Sequence, residues 1–435
     1  HTRSSVESRG LGDVYKRQDR GLERFSMKRR HFISALALAG AGLAAYRFWP
    51  EDGFVNPCLE DELPEHLAHH PLVLAAWQDI DAEKLWDCHV HLIGVGDSDS
   101  GIYMNPNMSK LAYPVQWVQR FFYMNASCLK DAGTVDTGFV DRLLQLQKAF
   151  PAGAKLMLLA FDYFHDDQGN RVVDASAFYT PNAYARRIAA AHPERFEWIG
   201  SIHPYRADAV EALLEAVEGG ARAMKWLPAA QGMDPASPKC DSFYRAMADH
   251  NIPLLSHAGT ELAVKGGNLE DFGNPLRLRR PLEQGVKVLT AHCASLGKGL
   301  DLDNGPGNRY VDNFTLFARM MDEPGYEGRF FGELSAVTQI NRVRNGLKTL
   351  ITCTDWQPRL INGSDYPLPG VMPLFSVKEL TRLGYVEESA GATLVEIRRY
   401  NPLLFDFVLK RSLNVDGKRL SPEVFESRRV FQNGR

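Results

Sequence analysis

The chain has 435 residues, of which 45% are hydrophobic and 24% charged, with a formal net charge of −3. That length and balance supply a large core and describe a soluble globular protein. No polybasic run or charge asymmetry points to a nucleic-acid partner; the partner expected is a small-molecule substrate.

The front end reads differently from the rest. DVYKRQ, residues 13–18, back-translates to GATGTGTATAAGAGACAG, which resembles a transposon-type sequencing adapter, and marks residues 1–26 as an assembly artefact. From Met27 to Pro50 a basic opening with Arg29 and Arg30 precedes a short apolar stretch, the layout of a twin-arginine export signal. Small residues at Ala44 and Ala45 permit cleavage, and an uncleaved signal anchor stays open. The apolar part is too short for a stable membrane span, so the expected location is the bacterial periplasm. Residues 51–84 read as an N-terminal extension. Six cysteines, at 58, 88, 128, 240, 293 and 353, form no CxxC pair and lie too far apart for a disulfide scaffold; one oxidised pair after export stays open.

The first strand is LWDCHVHL, residues 85–92. Alternation predicts Leu85, Asp87, His89 and His91 on one face and Trp86, Cys88, Val90 and Leu92 on the other. Two imidazoles on one face, one residue apart, have the spacing to meet one metal ion. A long aromatic-rich loop follows, residues 93–135, in which QWVQRFFYM reads either as a helix over the mouth of a site or as a homo-oligomer contact. Seven further apolar runs come in order: 154–162, 196–204, 221–228, 252–259, 286–293, 329–337 and 359–367. Helical patterns such as FVDRLLQLQKAF, NAYARRIAAAHPERF, ADAVEALLEAVEGG and SFYRAMADHN separate them. Eight strand–helix units predict an α/β fold, a closed (β/α)8 TIM barrel over residues 85–410, with a long first βα loop, a short N-terminal export segment and a C-terminal tail at 411–435. A doubly wound open sheet is the alternative, but there is no GxGxxG or phosphate loop to support it. The ionisable residues His89, His91, His203, Lys225, His257, His292, Glu333 and Asp365 fall at the C-terminal ends of their strands, where barrels of this kind build active sites. Val288 and Thr290 are read as sharing the strand face of His292 and leading to the same rim.

DCHVHL, GARAMKWLPAAQGMDP, IPLLSHAG, VLTAHC and INGSDYP, in this order, give residues 85–405 a resemblance to the amidohydrolase superfamily. The resemblance is to its amidohydrolase 2 branch, with aminocarboxymuconate-semialdehyde decarboxylase relatives and dicarboxylate lactonases. It implies a divalent ion, zinc by ligand type although Mn, Fe or Ni also fit, held by His89, His91, His257 and Asp365. It further implies that Asp365 takes and returns a proton and that His292 polarises the substrate or acts as base. Lys225 and His292 have two open roles: ligands of a second metal, or substrate contacts beside a single ion. Arg206, through its planar fork, Trp226, Glu333 and Tyr366 are further candidates for touching substrate, with Trp356 as another wall. The implied function is an exported metal-dependent hydrolase using metal-bound hydroxide on a lactone, amide or ester. The alternatives are a non-oxidative decarboxylase of an unsaturated or aromatic carboxylic acid on the same site, and a non-catalytic periplasmic metal-binding protein.

Overall fold

The computed structural model describes residues 53–59, 62–129, 133–264, 269–304 and 309–432. The adapter-like segment at 1–26 and the expected export signal at 27–50 lie outside the described residues.

All eight predicted strands form, each shorter than its apolar run: β1 Trp86–His91, β2 Lys155–Leu159, β3 Phe196–Ile199, β4 Met224–Trp226, β5 Leu254–His257, β6 Val288–Ala291, β7 Phe330–Glu333 and β8 Leu360–Ile361. Every pairing is parallel. β1, β2 and β3 form one ladder, and β4 to β8 form another. A bridge between Gly200 and Met224 joins β3 to β4, and one between Val90 and Tyr366 returns the chain end of β8 to β1. The sheet therefore closes on itself as an eight-stranded barrel.

Helices follow the strands: α1 Pro114–Ala126, α2 Val135–Gln147, α3 Asn182–Ala191, α4 Ala209–Glu218, α5 Asp241–Asp249, α6 Arg279–Glu283, α7 Asn313–Met321, α8 Leu347–Thr352, α9 Glu388–Tyr400 and α10 Pro402–Ser412. The four helical patterns quoted above fall in α2 to α5. Their apolar residues, such as Phe139, Leu143, Leu213 and Phe243, pack on outward-facing strand residues such as Leu156, Leu158, Leu254 and Val288. Inside the barrel, Trp86, Met157, Ile199, Ala223, Leu255, Leu289, Phe331 and Ile361 form a separate buried cluster, one residue from each strand or its immediate approach. Val430 and Phe431 of the C-terminal tail complete that cluster. The N-terminal extension also packs into the fold, with Leu67, Val73 and Ala76 in the outer core and Trp77 stacked on Phe407 at 4.3 Å. No described helix is long and apolar enough to cross a membrane.

Strict alternation fails in two places. In β1 the register shifts between Asp87 and Val90, so Trp86 and Cys88 face the lumen while Val90 packs outward. A bulge lets residues on either side of it share a face. Asp87 thus leaves the face of the histidines, and its Oδ1 accepts from the backbone N–H groups of His89 and Ser364. In β6 the lumen-facing residues are Leu289 and Ala291, with Val288 outside, contrary to the expected sharing of a face by Val288, Thr290 and His292. His292 turns inward because the chain leaves the strand with φ at +57°, +49° and +49° for His292, Cys293 and Ala294.

Candidate metal centre

At the C-terminal mouth of the barrel His89, His91, Lys225, His257, His292 and Asp365 line one cavity of about 800 Å³, counted out to its solvent mouth. Asp365 reaches it from beyond β8 through a left-handed backbone, φ +60°. Gly363 permits the close approach of this segment to β1, since a Cβ there would lie 2.5 Å from Glu333 Oε1 and 2.6 Å from His89 Cβ. His91 Nε2 is 3.0 Å from Asp365 Oδ1, and His89 Nε2 is 3.4 Å from the same oxygen. The three residues offer ligand atoms all within 4.8 Å of one another.

The tautomer of His89 follows from its neighbours. Nδ1 is 3.0 Å from Glu333 Oε2, an acceptor, so the ring proton sits on Nδ1 and the Nε2 lone pair faces the cavity. Lys225 Nζ lies 3.0 Å from that Nε2. Glu333 is held in turn by the N–H and hydroxyl of Ser335, each at 2.6 Å. His292 Nδ1 lies 2.8 Å from Ser335 Oγ and 3.1 Å from the Ser335 carbonyl, leaving Nε2 turned to Asp365 Oδ2 at 3.8 Å. Glu333 and Ser335 thus brace two imidazoles from below. His257, the fourth expected ligand, lines the same cavity but is not grouped with the triad: its ring is 5.1 Å from that of His292 and its Nε2 is 3.3 Å from Glu261 Oε2.

Burial pushes His89, His257 and His292 well below the ordinary imidazole range, so they are neutral, the form that ligates metal. Burial alone would raise the Asp365 carboxyl, but His89, His91 and Lys225 outweigh it and hold the group down. Burial lowers the Lys225 amine, against the pull of Asp365, Glu333 and Glu261. His89, His91 and Asp365 are a donor set that fits a divalent ion, while His257 Nε2, outside that group of ligand atoms, is buried and lacks a hydrogen-bond partner among the described residues.

Above this polar floor the walls are apolar, including Leu92, Ile93, Ile102, Phe161, Phe178, Leu227 and Val264. α1 lies over the mouth: Tyr123 lines the cavity and its hydroxyl donates to the Ala263 carbonyl, while Gln119 donates to Leu262 O at 3.1 Å. Its other face leaves Val115, Trp117, Val118 and Phe121 exposed.

Four candidates fall outside the cavity. Arg206 is committed to Asp162 at 2.9 Å and to Asp208 at 2.7 and 2.9 Å. Trp226 points outward to Phe243 and Tyr244, its indole donating to Ile202 O. Tyr366 points outward to Phe139, and Trp356 packs against Phe314 and Phe317. Trp226 follows Lys225, which faces inward in β4, so the pleat turns it away. Glu333 lies beneath His89 rather than on the cavity wall. The residues not anticipated are Ser335 and Glu261; Ser335, two positions after Glu333, had a period-two signal, whereas Glu261 had only its nearness to His257.

A family model described as amidohydrolase matches residues 86–372. No curated protein sequence matches the chain. Among solved structures, an uncharacterised TIM-barrel protein from Bordetella bronchiseptica aligns with 14% identity and a TM-score of 0.44, covering 72% of this chain and 99% of that one. A candidate 2-pyrone-4,6-dicarboxylic acid hydrolase from Pseudomonas putida aligns with 14% identity and a TM-score of 0.40, over 74% and 97% of the two chains. A 5-carboxyvanillate decarboxylase from Novosphingobium aromaticivorans with bound manganese aligns with 12% identity and a TM-score of 0.42, over 74% and 96%.

Proposed function

The chain belongs to the amidohydrolase family, a family of metal-dependent enzymes, and from that premise we propose that it hydrolyses a carbonyl-type substrate: a lactone, amide or ester. The observation behind this reading is the convergence of His89, His91 and Asp365, with Lys225 and His292 beside them, on the floor of one apolar-walled cavity. His89, His91, His257 and Asp365 would hold one divalent ion, for which we take zinc. When bound, such an ion supplies Lewis acidity and eases the deprotonation of water.

The protein's own groups do the rest. Asp365 Oδ2 accepts the proton of the attacking water and returns it to the leaving group. His292, with its Nδ1–H donating to the Ser335 carbonyl and a bare Nε2 turned to the cavity, acts as a base toward the substrate. Lys225 offers the cavity floor an amine for a substrate carboxylate. The apolar walls exclude bulk water and strengthen each of these contacts.

A second reading, non-oxidative decarboxylation of an unsaturated or aromatic acid, is favoured by the rings of Phe161 and Phe178 in the wall and by an amine at the floor. Elemental analysis and a substrate panel test both. Wild type should carry about one equivalent of metal and His91→Ala little; His292→Ala should keep the ion yet lose about 10²- to 10⁴-fold in kcat, and Lys225→Ala should chiefly raise KM. Two equivalents falling to one in both the His292 and Lys225 variants would overturn the one-metal assignment. Full occupancy in His91→Ala would overturn the site, and CO2 release without hydrolysis would select the decarboxylase.

Export is part of the proposal. Its support is the leader-like sequence from Met27 and the Cys58–Cys128 disulfide, a bond that persists in oxidising compartments.

A further inference from the structure

The loop after β5 holds a carboxylate for which the motifs of the site have no place. Past His257 the chain turns at Gly259, φ +91°, where a Cβ would lie 2.8 Å from the Leu296 carbonyl oxygen. The turn is secured by the Gly259 N–H donating to Gly273 O at 2.7 Å, and it brings Glu261 back to the strand end. Glu261 Oε1 accepts from the backbone N–H groups of Ala263 at 2.5 Å and Val264 at 2.8 Å. Oε2 is left 3.3 Å from His257 Nε2. That nitrogen is buried, the residue being 3% exposed, and it makes no hydrogen bond among the described residues despite the short distance. Glu261 and His257 line the same cavity as Asp365.

A buried nitrogen with no hydrogen-bond partner, 3.3 Å from a carboxylate oxygen, has the spacing of two donors to one cation, in a site where the Arg342 guanidinium also acts on both groups. His91 and Asp365 show a similar spacing, 3.0 Å, across the mouth. Glu333, a buried carboxylate nearby, already accepts from Ser335 and His89. We propose that Glu261 is a ligand of the metal centre, acting with His257 as a second carboxylate donor. This rests on the reading of His89, His91, His257 and Asp365 as that centre. It makes the donor set richer in oxygen than three imidazoles and one carboxylate, which moves its preference from four-coordinate zinc toward manganese or iron(II).

The test is Co(II) titration of the metal-stripped, full-length protein, following affinity and visible absorption for wild type, Glu261→Gln, Glu261→Asp and His91→Ala. Glu261→Gln should bind Co(II) at least about tenfold more weakly, with altered band intensity as a donor is lost and with unchanged far-ultraviolet circular dichroism. Glu261→Asp, which keeps the charge but draws back the oxygen, should fall between the two and serves alone if the glutamine variant does not fold. Affinity and spectrum equal to wild type in either Glu261 variant, with binding lost in His91→Ala, would overturn the role of Glu261 and leave the centre standing. A wild type that binds no Co(II) would overturn both.

Discussion

His89 is gripped from both sides of its ring: Nδ1 gives its proton to Glu333, and Nε2 stays bare toward Asp365 and Lys225. A carboxylate behind a ligating imidazole sets both its orientation and its basicity, so Glu333 acts on the site without touching the cavity. His203 illustrates the opposite case, a histidine at a strand end with no part in the site. It is fully buried, and its Nδ1 accepts from the Tyr205 N–H at 3.2 Å. Burial, with His165 nearby, holds its pKa down to about 3, against about 6.5 in an unfolded chain. Between those values the unfolded chain binds the extra proton, so the contribution of His203 is complete above about pH 6.5 and is lost as pH falls toward 3. His89, His257 and His292 titrate in the same sense, so the readout is the difference from wild type. Urea unfolding at pH 7, 5 and 4 should show His203→Asn losing less stability on acidification than wild type; parallel losses would refute the assignment.

The strand ends are where regular structure gives way to chemistry. His292, Cys293, Ala294, Ala336 and Asp365 all take left-handed backbone angles without being glycine. Such residues cost about 1 kcal/mol or more each and persist where packing over-determines them. Behind β8, the buried Lys410 of α10 donates to Gly363 O at 2.6 Å and Asn362 Oδ1 at 3.3 Å while pairing with Asp406 at 2.6 Å. This fastens the segment that presents Asp365. The Cys58–Cys128 disulfide ties the first described residues to the chain just beyond α1. Its oxidation state reports the compartment. Protein made with its own leader should show Cys58 and Cys128 protected from alkylation until reduced. Arg29→Lys with Arg30→Lys should leave the protein in the cytoplasm with both thiols free, and an oxidised, exported double variant would exclude the twin-arginine route.

At the scale of the whole molecule the barrel has a working end and a stabilising end. The mouth gathers the ionisable groups; the far end is closed by Val430 and Phe431, which pack with Trp86, Leu255 and Phe331 inside the barrel. Phe431 is wholly buried, so Phe431→Ala should cost about 3–5 kcal/mol in urea unfolding. Metal content of the folded protein should not change, because the cavity lies at the other end. A loss below about 1 kcal/mol would mean that the tail does not close the barrel.

Much of this molecule was legible before folding because it is local. Eight apolar runs separated by 3.6-period helices define strand–helix alternation within short windows of chain, and the HxH pair, the SHAG and GSDYP segments and Lys225 are strand-end features of the same kind. Period two even contained the exclusion of Trp226, the neighbour of inward-facing Lys225. What the sequence could not contain depends on distant chain. The bulge that moves Asp87 away from His89 is set by pairing with β2 and by the Ser364 N–H. The inward-turned ring of His292 is held by Ser335, 43 positions later, and its backbone N–H by Glu333. Glu261 meets His257 only because Gly259 turns against Gly273 and Leu296, and the tail finds the barrel floor across more than three hundred residues. Sequence patterns report which face of an element a residue occupies; which distant face it meets is decided by closure of the sheet, where hydrogen bonding, close packing and burial are satisfied all at once.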